Sequence, residues 1–149
     1  MTESARKIDK IYIAAPLFTP YERSLNLRLS QILGSYFETF LPQRDGMLLP
    51  GQDLSPSKFV VVSKSVFRTD CGAIDQCRFL LAVLDGRTVD EGVAFELGYA
   101  FARGKVCIGF RTDTRVLLPG GLNPMVQGAL LTILGSESEL SAWASANAT

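Results

Sequence analysis

The absence of histidine narrows the chemistry open to this chain before any element is assigned. A Ser-His-Asp or Cys-His nucleophile, a histidine proton shuttle and a His-ligated zinc site are all excluded. Acid–base or nucleophilic work must fall to carboxylates, Tyr, Lys or Cys, and carboxylates are the most plentiful of these. Cys71, Cys77 and Cys107 show no CxxC spacing and read as buried or half-buried thiols in a reducing compartment. The carboxylates worth following lie in DGRTVDEGVAFELGYAFARG, residues 85–104. A helix there has Val93, Leu97, Ala100 and Phe101 as its apolar stripe, and at about 100° per residue Glu96 falls on the stripe's edge. Asp90 comes roughly one and a half turns earlier, near the helix start, where the helix dipole favours negative charge. Gly92, Ala94 and Gly98 are small enough for a backbone or a ligand to come close. On spacing alone a plainer account stays open: Asp90 and Glu91 cap the helix, and Glu96 pairs with Arg103.

The elements that must position these groups alternate along the chain. Residues 10–15 (KIYIAA) read as a buried strand ended by Pro16, and residues 20–34 as a helix with Leu25, Leu29, Ile32 and Leu33 at helical spacing. Residues 37–41 form a second short strand, and residues 42–56, rich in Pro, Gly, Asp and Gln, a long loop. Ser57 is the expected cap of a helix running to about residue 75, despite the β-branched run at 60–62. Residues 78–84 (RFLLAVL) are the most apolar strand and belong at the centre of the sheet. Asp85-Gly86 turns the chain into the helix at residues 89–103, closed by Gly104, and residues 106–110 return as a strand. A short helix at 122–127, a strand at 130–134, and a helix at 137–146 behind the cap Ser136 complete the pattern. This alternation predicts an α/β fold: a parallel sheet, helices on both faces, and ligands at the carboxyl ends of the strands.

The bulk numbers agree. At 149 residues, 47% hydrophobic and 20% charged, the chain suits a single globular domain over residues 1–149. Fifteen basic residues balance fifteen acidic ones, so no nucleic-acid or membrane surface is advertised, while an uncharged small molecule remains a suitable partner. No apolar run is long enough for a membrane helix, and MTESARKIDK does not resemble a signal peptide, so a cytoplasmic location is expected.

The run DEGVAFELGYA, together with KIYIAAPLF at the first strand and GLNPM near residue 123, resembles the nucleoside 2-deoxyribosyltransferase family over residues 10–134. The resemblance implies a flavodoxin-like, doubly wound, five-stranded parallel sheet, and an active site completed across a subunit interface, hence a homo-oligomer. It implies no cofactor and no metal. The family's nucleophilic glutamate falls on Glu96, and the tyrosine that steers it on Tyr12. The aspartate contacting the departing base falls on Asp70, and the one near the sugar hydroxyls on Asp90. The asparagine lent by a neighbouring subunit corresponds to Asn123, with Gly92 in the same substrate-binding stretch. Phe18 resembles the aromatic wall of the base pocket, while Leu17 stands where some members have a second aromatic. Taken singly, Tyr12 could be a core residue, Asn123 a cap before Pro124, and Asp70 a helix end. Arg68, Arg78 and Arg87 read as solvated or ion-paired, and Arg111 as either that or a neighbour of the site.

Three other readings compete. Deoxynucleoside 5′-monophosphate N-glycosidases resemble the chain around the glutamate, but they carry a serine where Asp90 stands and phosphate-gripping residues after the first strand. APLFT, residues 15–19, supplies no arginine, and a carboxylate at 90 repels a phosphate. A non-catalytic nucleoside-binding module would have damaged carboxylates. A phosphoacceptor receiver would need paired acidic residues where Ala14-Ala15-Pro16 stands.

Overall fold

The structure is a computed structural model that describes residues 8–47, 54–113, 115 and 121–149. Five parallel strands, β1 (Lys10–Ala14), β2 (Glu38–Phe40), β3 (Phe79–Val83), β4 (Val106–Phe110) and β5 (Thr132–Leu134), form one sheet in the order β2-β1-β3-β4-β5. The order reverses beside β1, the topology of a flavodoxin-like doubly wound sheet. The run at 78–84 supplies the central strand, and all five of its β3 residues are buried.

Side-chain alternation divides the core into two layers. Ile11, Ile13, Phe79, Leu81, Val83, Ile108 and Phe110 point to one face, covered by α1 (Pro20–Gly34) and α6 (Glu137–Asn147). Tyr12, Ala14, Leu80, Ala82 and Cys107 point to the other, covered by α3 (Pro56–Gln76) and α4 (Glu91–Ala102). A short α5 (Pro124–Ala129) lies against α4. The parity of β1 thus decides that Tyr12 looks toward the helix carrying Glu96. A one-residue slip would send it to the opposite layer.

Local chemistry sets the helix ends. Thr19 and Glu22 close a reciprocal capping box ahead of Pro20, and Ser136 caps α6 through Glu139 N–H at 3.2 Å. Gly104, at φ 71°, takes the left-handed turn that ends α4.

Three expectations need correction. Ser57 does not cap α3: the N-cap is Ser55, and Pro56 takes the first helical position, which needs no amide hydrogen. The stretch 42–56 is not a loop throughout, since α2 (Pro42–Asp45) makes one helical turn, with Asp45 Oδ2 accepting from Leu41 N–H at 2.8 Å. Residues 48–53 of that stretch lie outside the described residues. The third concerns Phe101, which is 58% exposed and not part of the buried stripe. Glu96 and Phe101 flank the line of Val93, Leu97 and Ala100 on opposite sides, each roughly 70° from its centre. The Glu96 edge turns inward to β1 and the Phe101 edge outward. Among the described residues no helix is long and apolar enough to cross a membrane.

Candidate active site

Tyr12 and Glu96 meet across the sheet–helix boundary: the tyrosine hydroxyl donates to Glu96 Oε1 at 2.6 Å. Tyr12 has no exposed surface, and its ring lies flat on Phe40, with centroids 5.4 Å apart and planes 12° apart. Phe40 is paired with Tyr12 in the β1–β2 register, so the stack follows from two adjacent strands presenting aromatics on one face. The hydroxyl is therefore aimed by the backbone of β1 and held by an aromatic neighbour. Arg103, the other candidate partner of Glu96, is bound to Asp75 at 2.7 Å, where Tyr99 Oη and Lys105 Nζ also converge. That leaves Glu96 to the tyrosine.

Burial pushes the Glu96 carboxyl up to about 7. The hydrogen bond from Tyr12 pulls it back, while Asp70 and Asp90 add to the rise. Burial and the charge of Glu96 also raise the Tyr12 phenol far above its usual value, so the hydroxyl keeps its proton and remains a donor. Asp70, on the inner side of α3, is lifted to about 6 by burial, and among the described residues its enclosed Oδ1 has no hydrogen-bonding partner. Cys71 stands beside these groups; burial and the carboxylates of Asp70, Asp75 and Glu96 raise its thiol. Its thiolate is suppressed, which argues against a nucleophilic role.

Asp90 is the N-cap of α4, and its Oδ1 accepts from Gly92 N–H at 2.9 Å and Val93 N–H at 3.1 Å. Among the described residues nothing donates to Oδ2. The capping account and a ligand-binding account are thus compatible, one oxygen to each. A Cβ on Gly92 would stand 3.1 Å from Asp90 Oδ1, so the glycine leaves room for the cap. Asn123 is exposed and caps α5 through Met125 N–H at 2.9 Å. Phe18 is 74% exposed after β1, with Leu17 half-buried beside it. Arg111 sits just past β4, where its Nη2 donates to the Arg115 carbonyl at 2.8 Å. Arg78 pairs with Asp9, and Arg68 and Arg87 are exposed.

The structure therefore brings Tyr12, Glu96 and Asp70 together, and sets Asp90 at the head of the same helix as Glu96. Asn123 and Phe18 remain at the surface of this chain. Phe40 was not legible as a site residue, because cross-strand register is set by tertiary pairing. Among the described residues no cluster of Cys, Asp and Glu could hold a metal ion.

Fold and site together define a doubly wound α/β protein whose buried carboxylate is oriented by a tyrosine from the first strand. The family model for nucleoside 2-deoxyribosyltransferase matches residues 11–141, and the chain belongs to that family. Among solved structures it is similar to a conserved protein from Enterococcus faecalis, with TM-score 0.74 and 24% identity over 94% of this chain and 99% of the other. It is also similar to a 2-deoxyribosyltransferase from Bacillus psychrosaccharolyticus, with TM-score 0.66 and 20% identity over 89% and 90% of the two chains. A CMP N-glycosidase from Clostridium botulinum shares the fold, with TM-score 0.60 and 18% identity over 91% and 97%. No curated protein sequence matches.

Proposed function

We propose that this chain cleaves the N-glycosidic bond of nucleosides through a covalent intermediate on Glu96 and passes the sugar to a second nucleobase or to water. The observation that carries this reading is the 2.6 Å bond from Tyr12 Oη to Glu96 Oε1, which holds one carboxylate oxygen and leaves the other to attack. Glu96 forms a bond to C1′ as the bond from C1′ to the base nitrogen breaks, and that electron pair leaves on the base. Asp70 supplies the proton that makes the base a better leaving group. In the second half, an incoming base attacks C1′, returns its proton to Asp70, and frees the Glu96 carboxylate. Two displacements on opposite faces retain the anomeric configuration.

With values of about 7 and about 6, the two carboxyls share one proton in the intervening range. The reactive arrangement puts that proton on Asp70 and the charge on Glu96. The Tyr12 hydrogen bond favours it, and so does a bound base that accepts from Asp70. The free Oδ2 of Asp90 suits a sugar hydroxyl and repels a 5′-phosphate, so free nucleosides are favoured over their monophosphates.

Asn123, at the surface of its own subunit, fits a role in a neighbour's site, as the family resemblance implies. The outer sides of α3 and α4 expose Val61 (64%), Phe67 (54%), Phe95 (52%) and Phe101 (58%), an apolar face suited to a second copy. Incubation with deoxyinosine plus adenine or cytosine tests the activity directly. The expected result is base exchange, with free deoxyribose reporting the share of hydrolysis. No release of hypoxanthine with either acceptor overturns the proposal.

A further inference from the structure

Three donors converge on Asp75, at the C-terminal end of α3. Arg103 Nε donates to its Oδ1 at 2.7 Å, Tyr99 Oη to its Oδ2 at 3.0 Å, and Lys105 Nζ to its main-chain oxygen at 2.6 Å. Tyr99 belongs to α4 and Arg103 caps that helix, so the carboxylate fastens the end of one helix to the end of the other. The Arg103 guanidinium holds the Asp75 carboxyl below its usual value, which keeps the tie charged at neutral pH. The Asp75 carbonyl is among those a helix end leaves without a helical partner, and Lys105 satisfies it.

A second tie joins the same helices higher up. The Phe67 ring of α3 meets the Phe95 ring of α4 at 5.6 Å, and Phe95 stacks in turn on Tyr99 at 6.4 Å. Asp70 falls between Phe67 and Asp75 along α3, and Glu96 between Phe95 and Tyr99 along α4. The two raised carboxyls are thus bracketed, each within about 8 Å of both ties along its own helix. Aromatic contacts can slide, whereas the lower tie is charge-assisted and directional. Tyr12 from β1, Cys71 from α3 and Asp90 from α4 also face the pair, but none of them fastens α3 to α4.

Resting on the reading above, we propose that Asp75 is a positioning residue for Asp70 and Glu96. Through Tyr99 and Arg103 it holds α3 against α4 at the separation at which the two carboxyls share a proton. An exposed ion pair adds little to stability, so the contribution of this one is to geometry. Releasing it lets the repulsion between the two carboxylates open the gap. That weakens their coupling and lowers the upper midpoint of the pair. For charges a few ångströms apart, an opening of about 1 Å moves the midpoint by about half a pH unit.

The test follows the carboxyl carbons of Asp70 and Glu96 by NMR through a pH titration of the isotope-labelled native protein, Asp75→Ala and Arg103→Ala. One variant removes an anion and the other a cation, yet both break the same tie, so the upper midpoint should fall by about half a pH unit in each. Charge acting through space instead predicts a fall in Asp75→Ala and a rise in Arg103→Ala. Opposite shifts, or none, overturn the inference. The double variant should fall no further than either single one, and an additive fall rejects a shared tie. If an alanine variant fails to fold, Tyr99→Phe, which deletes one donor, must lower the midpoint, and an unchanged midpoint rejects the inference. In the active protein both alanine variants should lose about tenfold in kcat with KM within about twofold, and an unchanged kcat overturns the inference. If the native protein cleaves no nucleoside, the glycosidic reading fails, and the titration by itself upholds or rejects the role of Asp75.

Discussion

Glu96 keeps its proton up to about pH 7 because it is surrounded by the α3/α4 layer of the core and faces two other carboxylates. That position has a cost for stability. A carboxyl whose folded value exceeds its unfolded one binds protons better when folded, so its stabilisation is fully present below about pH 4.5 and is lost as pH rises toward 7. A rise of this size corresponds to about 3 kcal/mol. Glu96→Gln, neutral at every pH and still able to accept from Tyr12, should therefore raise Tm more at pH 8 than at pH 5. It should also abolish glycosidic cleavage. Equal Tm gains at both pH values contradict the buried-carboxylate account, and near-native turnover removes Glu96 as nucleophile. Tyr12→Phe preserves the ring on Phe40 and deletes only the donor. Because that hydrogen bond lowers the Glu96 value, its loss should shift the acid limb of kcat/KM to higher pH and reduce the rate at neutrality. An unshifted limb means the tyrosine is a packing residue.

At the scale of the element, the proposed function gives one residue of α4 two tasks. Asp90 starts the helix with Oδ1, and the proposal assigns its Oδ2 to the sugar. Asp90→Ser keeps a good cap and removes the charge, whereas Asp90→Ala removes both and should cost about 1 kcal/mol of stability as well. Asp90→Ser should thus narrow the preference for deoxyadenosine over its 5′-monophosphate by about 1–3 kcal/mol, measured as the ratio of kcat/KM values. An unchanged ratio makes Asp90 a cap alone. A native preference for the monophosphate turns the assignment toward nucleotide hydrolysis.

Much of this element was readable in advance. The spacing of Val93, Leu97 and Ala100 set the buried side, and Gly104 set the end. KIYIAA read as a buried strand, but its unbroken apolar run does not say which face Tyr12 takes. Less readable was what depends on neighbours. Which edge of the α4 stripe turns inward, the pairing of Arg103 with Asp75, and the stacking of Phe40 on Tyr12 are decided by packing between distant segments. Ser55 and Ser57 are both good cap residues on either side of Pro56, and only the backbone geometry chooses between them.

At the scale of the molecule, the exposed aromatics of α3 and α4 and the outward position of Asn123 bear on assembly. Solution mass at assay concentration should exceed the 16.2 kDa of one chain. Asn123→Ala should lower activity while shifting neither the mass nor Tm by more than loss of a short helix's cap explains. Sedimentation showing a fully active monomer rejects the shared site.

The two elevated carboxyls turn the whole protein into a quiet background for its own proton count. Histidine, the side chain that ordinarily exchanges protons between pH 5 and 8, is absent, and the Tyr12, Cys71, Cys77 and Cys107 values are all displaced upward, away from that interval. Asp70 and Glu96, at about 6 and about 7, fall inside it. A potentiometric titration of the intact protein over this range, minus the same curve for Glu96→Gln, should therefore isolate close to one proton per chain. Adding a nucleoside should move that proton's midpoint. Protonation at the reacting centre becomes countable with a pH electrode, with no label and no turnover.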